Sequence, residues 1–215
     1  MLSKAAAKDP AMSGQLKYER VEGDFYPTPP ENVNCLLTFI DLRNDVVWEP
    51  ACGEGHISKR LIPHVRGVYS TDLFDRGYGA GGIDFLTSKN APGKPGSLTT
   101  AIVTNPPFDD MAEQFIRHAL DLMSPIGGKV AMFLRNEYDM ASSRHDIFEG
   151  HPAYVAKICV TKRPRWIVGS KGSPRHNYAW YVWDWSNMRV PGHGAEVRYI
   201  HPKNAAPIGT TETLH

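Results

Sequence analysis

Asn105, Pro106, Pro107 and Phe108 are the four consecutive residues of this chain with the most chemistry to offer. They follow a short apolar run, Ala101-Ile102-Val103-Thr104, and precede a helix start at Asp109 or Asp110. Each proline lacks an N–H and has a fixed φ, so the pair fits neither a central strand nor a helix interior. The spacing therefore predicts a buried strand ending at Thr104 and a stiff loop just past its carboxyl end, where open α/β sheets hold their ligands. An amide, a backbone carbonyl and an aromatic face presented together suit a flat base that carries an exocyclic amino group. Such a nitrogen is a poor nucleophile, because its lone pair is delocalised into the ring. If the Asn105 side-chain oxygen and the Pro106 carbonyl each accept one of its hydrogens, the nitrogen is drawn toward a tetrahedral geometry and its lone pair is freed. Phe108 would then stack on a base that has left its duplex, offsetting part of an unstacking cost of roughly a few kcal/mol. The same four residues also admit a blander reading, a stiff loop with an aromatic plug.

The elements upstream must supply what the amine attacks. Val46-Val47-Trp48 reads as a buried strand that runs into Glu49-Pro50-Ala51-Cys52-Gly53-Glu54-Gly55, followed by a helix from His56 to Ile62 that stops at Pro63. A strand, a tight Gly-x-Gly turn and a helix open a doubly wound sheet. The third glycine of the dinucleotide fingerprint is missing, which weighs against NAD or FAD. A second strand, Gly67 to Asp72, places Asp72 19 residues past Gly53, where a strand-end carboxylate accepts hydrogen bonds from ribose hydroxyls. Its alternative role is to cap a turn. A glycine-rich loop then leads to Ile83-Asp84-Phe85-Leu86, read as a short third strand in which Asp84 accepts from an adenine amino group and Phe85 packs nearby. Before all of these, Thr28 to Glu31 fits a capping box with Pro29 at the first helical position.

After Phe108, Met111, Phe115, Ala119 and Leu122 form a helical apolar stripe, and Val130 to Leu134 is apolar throughout, as in a central strand. Arg135-Asn136-Glu137-Tyr138 follows at its carboxyl end, facing the same crevice. A short helix is expected over Ser143 to Phe148, strands over Tyr154 to Val160 and Asn177 to Trp185, and an edge strand over Glu196 to Ile200. The aromatics Trp180, Tyr181 and Trp183 are assigned to core packing. At 215 residues, 41% hydrophobic and 22% charged, the chain fits one domain with one sizeable core. Residues 1–20 are expected to form a flexible arm, 21–202 one catalytic domain without a separate target-recognition domain, and 203–215 a loose tail. Three scattered cysteines, Cys35, Cys52 and Cys159, argue for a reducing cytoplasm rather than disulfides or structural zinc, and neither a metal-ligand cluster nor a membrane span is evident.

The net charge of +1 says little, but its distribution says more: no acidic residue occurs between Glu149 and Asp184. That interval holds Lys157, Lys162, Arg163, Arg165, Lys171 and Arg175, with His151 and His176. A basic loop of this kind points to a polyanion on one face, here a nucleic acid held by Lys162, Arg163, Arg165, Lys171 and Arg175; a merely solvated basic surface is the alternative.

Taken together, Glu49-Pro-Ala-Cys-Gly-Glu-Gly55, Asp72, Asp84-Phe85 and Asn105-Pro-Pro-Phe108 resemble the S-adenosylmethionine-dependent adenine-N6 DNA methyltransferases. Phe25-Tyr26-Pro27-Thr28-Pro29 is similar to the segment before the cofactor motif in that family. Lys162 to Trp166 with Tyr178 to Asp184 looks like its small phage and prophage members. The resemblance covers residues 24–200 and implies a Rossmann-like class I methyltransferase fold. That fold is an α/β architecture with a seven-stranded, mostly parallel sheet, an antiparallel last strand and helices on both faces. It also implies S-adenosylmethionine as cofactor: Gly53 and Gly55 letting the backbone approach it, Glu49 and Pro50 near its methionine end, Asp72 on the ribose, Asp84 and Phe85 at the adenine, Tyr26 and Thr28 contacting it from the N-terminal helix, and Asn105 also among its binding residues. Asn105, Pro106, Pro107 and Phe108 then form the catalytic loop, and the partner is DNA, read with short or relaxed specificity, with a homodimer as one way to extend recognition and a bacterial or phage-infected cytoplasm as the setting. Glutamine N5-methyltransferases and RNA base methyltransferases look similar at this loop, cytosine N4 is also an exocyclic amine, and a binding module without turnover is the non-enzymatic alternative.

Overall fold

The computed structural model describes residues 26–108, 110–166, 174–190 and 193–209. Seven strands form one sheet: β1 (Val46–Glu49), β2 (Gly67–Ser70), β3 (Ala101–Thr104), β4 (Lys129–Arg135), β5 (Tyr154–Val160), β6 (Tyr178–Asp184) and β7 (Glu196–Ile200). Their spatial order is β2-β1-β3-β4-β6-β5-β7. All pairings are parallel except those of β6, which runs antiparallel to both β4 and β5. The antiparallel strand is thus the sixth in the chain and lies inside the sheet, while β7 takes the edge.

The buried residues of the central strands divide between the two faces of the sheet, and the alternation assigns the helices. Val47, Ala101, Val103, Ala131, Phe133, Trp180 and Val182 share a core with Val33, Leu36 and Leu37 of helix α1 (Pro30–Leu37) and with Ile57 and Leu61 of α2 (His56–Leu61). On the other face, Trp48, Ile102, Val130, Met132, Leu134, Tyr181 and Trp183 pack on Phe115, Ile116, Ala119 and Met123 of α3 (Asp110–Met123). The period of two along each strand therefore feeds two separate apolar layers. The buried indoles keep their N–H groups satisfied: Trp180 donates to the Asn32 carbonyl at 2.8 Å and Trp183 to the Ile147 carbonyl at 2.7 Å.

Several expected elements differ. Residues 83–86 form no strand; Asp84 instead caps a 3-10 turn over Phe85–Thr87, accepting from the Leu86 N–H at 2.9 Å. The capping box at Thr28 does not form, because α1 begins with Pro30 at its first position and Pro29 at the cap, with no side-chain cap bond. Two successive prolines hold that entry by backbone geometry alone. The α3 stripe includes Phe115 and Ala119, but Ala112, Ile116, Leu120 and Met123 fill out the buried face and Met111 stays exposed. The segment Ser142–Ile147 is a 3-10 helix. Of the expected loose tail, residues 203 and 204 lie in a 3-10 turn over Pro202–Asn204, and the Ile208 N–H reaches the Leu37 carbonyl at the end of α1 at 3.0 Å. The expected arm over residues 1–20 lies outside the described residues.

Lys157 leaves the basic surface that the sequence suggests. It is buried on β5, and its ammonium donates to both Asp139 oxygens, at 2.7 and 3.0 Å. The Tyr181 hydroxyl lies 3.3 Å from that carboxylate and is 2.8 Å from the Asn136 carbonyl, its nearest acceptor. Removing one partner strands the other charge away from water, at a cost of about 3 to 5 kcal/mol. Asp139→Ala is expected to lower the unfolding free energy by about 3 kcal/mol in urea titrations. The paired change Asp139→Leu with Lys157→Met is expected to recover most of that loss, since it removes both charges together.

Candidate active site

Strands β1, β2 and β3 run parallel, so Glu49, Asp72 and Asn105 all emerge at one edge of the sheet. The chain moves from β1 to β2 on one side and returns to β3 on the other. The crevice between them is the switch point at which such sheets bind ligands. A cavity of about 440 Å³ opens there, a size suited to a small-molecule or cofactor ligand.

Most of the expected cofactor residues line it: Tyr26 and Thr28 before α1, Glu49 and Pro50 after β1, Asp72 after β2, Asp84 and Phe85 in the 3-10 turn, and Asn105 after β3. Of the four residues expected to form a catalytic loop, Asn105 and Pro107 reach the cavity; Pro106 is buried, and Phe108 does not line it. The Phe108 ring instead packs on Tyr26 with centroids 4.8 Å apart and stands edge-on to Trp166 at 6.5 Å. Trp166 also meets Tyr26 at 6.0 Å and Tyr178 at 5.0 Å. It thereby joins the basic loop to the Asn-Pro-Pro-Phe loop. Only its place beside Arg165 in the basic run hinted at this.

Gly53 and Gly55 do not line the cavity; they shape the turn beneath it. Both have positive φ, 53° and 78°. A Cβ on Gly55 would come within 2.2 Å of the Tyr78 ring, so this position is closed by the protein's own side chain. Gly53 contributes its N–H, donated to the Asp72 carboxylate at 2.8 Å. The other Asp72 oxygen accepts from the Phe74 N–H at 2.9 Å. Asp72 therefore caps its own turn and ties β2 to the glycine loop while still facing the cavity.

Glu49 is almost wholly buried. One of its oxygens accepts from the Ser58 N–H at 2.7 Å and from the Ser58 hydroxyl, which also contacts the Ser70 hydroxyl at 2.6 Å. Burial pushes its carboxyl from the ordinary 4.5 up to about 8; the Ser58 bonds pull the other way, and the nearby Asp72 charge adds to the rise. Cys52, also on the cavity wall, is pushed up to about 12, by burial first and then by Glu49 and Asp72, so it stays a thiol.

Asn105 is only half satisfied. Its amide N–H donates to the Tyr26 carbonyl at 3.3 Å, which turns the side-chain oxygen the other way. That oxygen is buried and has no hydrogen-bond partner among the described residues. Buried acceptors are nearly always paired, so an orphaned one on a cavity wall marks a place for a ligand donor.

The sequence reading missed the apolar rim. Leu73 and Phe74, immediately after Asp72, are exposed, and Ile83 and Met111 add exposed apolar side chains to the same cavity lining. Two large apolar residues directly after a strand-end carboxylate are the signal that was there to read. Of the expected nucleic-acid residues, Lys162, Arg163, Arg165 and Arg175 are all exposed, and Lys171 lies outside the described residues. Lys162 sits 3.8 Å from Glu31. Arg163 donates to the Asn177 side chain at 3.0 Å and to the Pro174 carbonyl at 3.2 Å. Among the described residues, no helix is long and apolar enough to cross a membrane, and all three cysteines are free and buried.

No protein-family model matches the chain, and no curated protein matches it. Solved structures do. A protein from Pyrococcus horikoshii assigned as an RNA methyltransferase superposes with a TM-score of 0.56 at 15% identity, covering 78% of this chain and 90% of that one. A modification subunit from Vibrio vulnificus, assigned to a type I restriction enzyme, gives 0.54 at 14% identity over 86% of this chain and 48% of that one. A protein from Listeria monocytogenes assigned as a class I S-adenosylmethionine-dependent methyltransferase gives 0.51 at 11% identity over 78% and 62%. The chain thus spans about half the length of the Vibrio subunit and under two thirds of the Listeria protein. These likenesses establish the fold: Rossmann-like, of the class I methyltransferase type.

The buried carboxyl of Glu49 yields a sign-defined test. Between pH 4.5 and about 8 the folded chain holds a proton that the unfolded chain releases. The Glu49 contribution to stability is thus fully present below about pH 4.5 and is lost as pH rises through about 8. Glu49→Gln keeps the acceptor for Ser58 without the titration. Melting temperatures followed across this window should fall less steeply for the variant than for the parent chain. Parallel slopes would mean that another group titrates.

Proposed function

We propose that the chain transfers the methyl group of S-adenosylmethionine to the exocyclic N6 amino group of adenine in DNA. The observation that carries this reading is the unpartnered, buried oxygen of Asn105 at the carboxyl end of β3, beside a cavity lined by Glu49, Asp72 and Asp84. When bound, the cofactor supplies an electrophilic methyl group on a sulfonium. The residues present suit it. Glu49, held protonated by burial, can ionise against a cationic methionine end, which would return a compensated charge to the pocket. Asp72 retains acceptor capacity for ribose hydroxyls beyond its two backbone bonds. Asp84 is in reach of an adenine edge, and Leu73 and Ile83 offer apolar surface for its faces.

The acceptor base enters from the side of Phe108. Its amino hydrogens go to the Asn105 oxygen and the Pro106 carbonyl, so the nitrogen lone pair points across the crevice toward the cofactor side. With the cofactor bound, the nitrogen–carbon bond would form as the carbon–sulfur bond breaks, and the surplus proton on nitrogen would pass to water. The chain's contribution is in-line positioning. Tyr26 orients Asn105 through its carbonyl and covers Phe108 with its ring, so the base displaces the Tyr26–Phe108 contact to stack. The basic segment from Lys162 to Arg175 supplies the polyanion contacts from which the base is drawn. RNA bases are the second acceptor to consider, and the acid-free surface alone is compatible with either backbone.

The test is incubation with labelled S-adenosylmethionine and, separately, duplex DNA, single-stranded DNA, RNA and bacterial protein, followed by nucleoside mass spectrometry. N6-methyladenine in DNA is expected, with Asn105→Ala lowering turnover about a hundredfold or more, the scale on which a lost transition-state hydrogen bond acts. Cofactor binding, measured by calorimetry, should persist in that variant. Label confined to RNA, to cytosine or to protein would overturn the acceptor assignment, and absence of cofactor binding would overturn the enzyme reading altogether.

A further inference from the structure

The end of β4 carries a cation, Arg135, that the proposed reaction does not use. Because β6 runs antiparallel to β4, Arg135 is registered opposite Tyr178, and the Asn136 N–H donates to the Asn177 carbonyl at 3.0 Å. The same Asn177 receives the Arg163 guanidinium through its side chain at 3.0 Å. Arg135 from the sheet and Arg163 from the loop are therefore anchored to one short stretch of backbone. His176 lies among them: burial first, and then Arg135, Arg175 and Arg163, hold its imidazole below the ordinary range, with Glu137 alone acting in the opposite direction. Three arginines against one carboxylate, all with exposed side chains, leave a local positive surplus.

The location of this surplus is specific. Tyr178, facing Arg135 across the β4–β6 ladder, packs on Trp166 at 5.0 Å, and Trp166 stands against Phe108. An aromatic wall one or two rings thick thus separates the arginines from the Asn-Pro-Pro-Phe loop. A backbone phosphate held on the arginine side of this wall would belong to a strand whose base reaches Asn105 from the side of Phe108. Guanidinium groups fixed in position match phosphate oxygens bidentately, whereas a lysine presents only a mobile point charge.

We infer that Arg135, Arg163 and Arg175, grouped around His176, form the site for a backbone phosphate of the DNA strand that delivers its base to Asn105. The assignment rests on the proposed function for its choice of strand. It adds Arg135, which lies outside the acid-free segment, and the cluster so formed fixes the register of the nucleotide rather than reading its sequence.

The experiment is fluorescence anisotropy with a labelled 20-nucleotide duplex DNA at several potassium chloride concentrations, using the full chain. Arg135→Gln is expected to weaken binding about five- to tenfold near 0.1 M salt and to reduce the slope of log K against log salt by about one, the signature of one lost phosphate contact. Arg135→Lys should restore most of the slope and less of the affinity. Arg175→Gln, on a loop where folding is not at stake, is expected to act in the same direction. Melting temperature and cofactor affinity should not move in either glutamine variant. Parent-like affinity and slope in both glutamine variants would overturn the phosphate site even if DNA is methylated. A reduced slope in a chain that methylates no DNA would leave the phosphate site standing and overturn the methylation reading. Equal weakening on a matched RNA, with RNA bound tighter by the parent chain, would overturn the choice of DNA.

Discussion

A carboxyl group with almost no access to water sits at the end of β1, and the crevice is built around the bonds that make this tolerable. Glu49 is satisfied by the N–H and hydroxyl of Ser58 on α2, and Ser58 in turn contacts Ser70 at the end of β2. One buried acid thereby locks β1, α2 and β2 together. The glycine turn between them must be tight enough to bring Ser58 back over the strand end, which is why Gly53 and Gly55 take positive φ. Asp72 closes the same turn from the other side through the Gly53 N–H. A carboxyl held neutral in this way is a latent anion. Below about pH 8 it is most stable protonated, and a cation arriving beside it would favour its charged form.

The two halves of the crevice differ in how finished they are. On the side of β1 and β2 the polar groups already have protein partners, and the cavity is shaped before any ligand enters. On the side of β3 the Asn105 oxygen is left without a partner and the Phe108 ring is covered by Tyr26. In the proposed reaction this asymmetry follows the demands of the two ligands. A small diffusing cofactor benefits from a preformed pocket, because little ordering is left to oppose its binding. A base drawn from a polymer arrives with a large favourable backbone interaction, which can offset the displacement of an aromatic contact.

The sequence made the central strands legible because β1, β3 and β4 are buried on both faces, and a sheet covered on both sides leaves a continuous apolar run. β5 and β7 are found over the residues expected from composition alone. The placement of Asn105, Asp72 and Glu49 on one edge was legible for the same reason: parallel strands put all their carboxyl ends together. What was not legible depends on contacts between distant segments. Gly55 was expected to admit a ligand, but Tyr78, 23 positions later, occupies the space. The third strand failed because Asp84 bonds locally to the Leu86 N–H, and such short-range caps compete directly with strand pairing. Thr28, read as a helix cap, is buried at the cavity wall instead, since Pro30 starts the helix without needing a side-chain cap.

Charge was the property least readable from order along the chain. Lys157 and Lys162 belong to the same acid-free run, yet one lies in the core against Asp139 and the other faces water near Glu31. The difference is a matter of strand register: Lys157 falls within β5, a strand flanked by β6 and β7 and buried on both sides, so its ammonium had to find a buried carboxylate. Arg135 makes the opposite passage. It closes a strand whose preceding five residues are all buried, and by sequence neighbourhood it belongs to the core. Because β6 runs back along β4, the first residues of β6 bring the basic loop to the place where Arg135 leaves the sheet. The antiparallel strand is therefore what converts a run of cations in sequence into a cluster in space. It removes one member of the run and supplies another that no count along the chain would include.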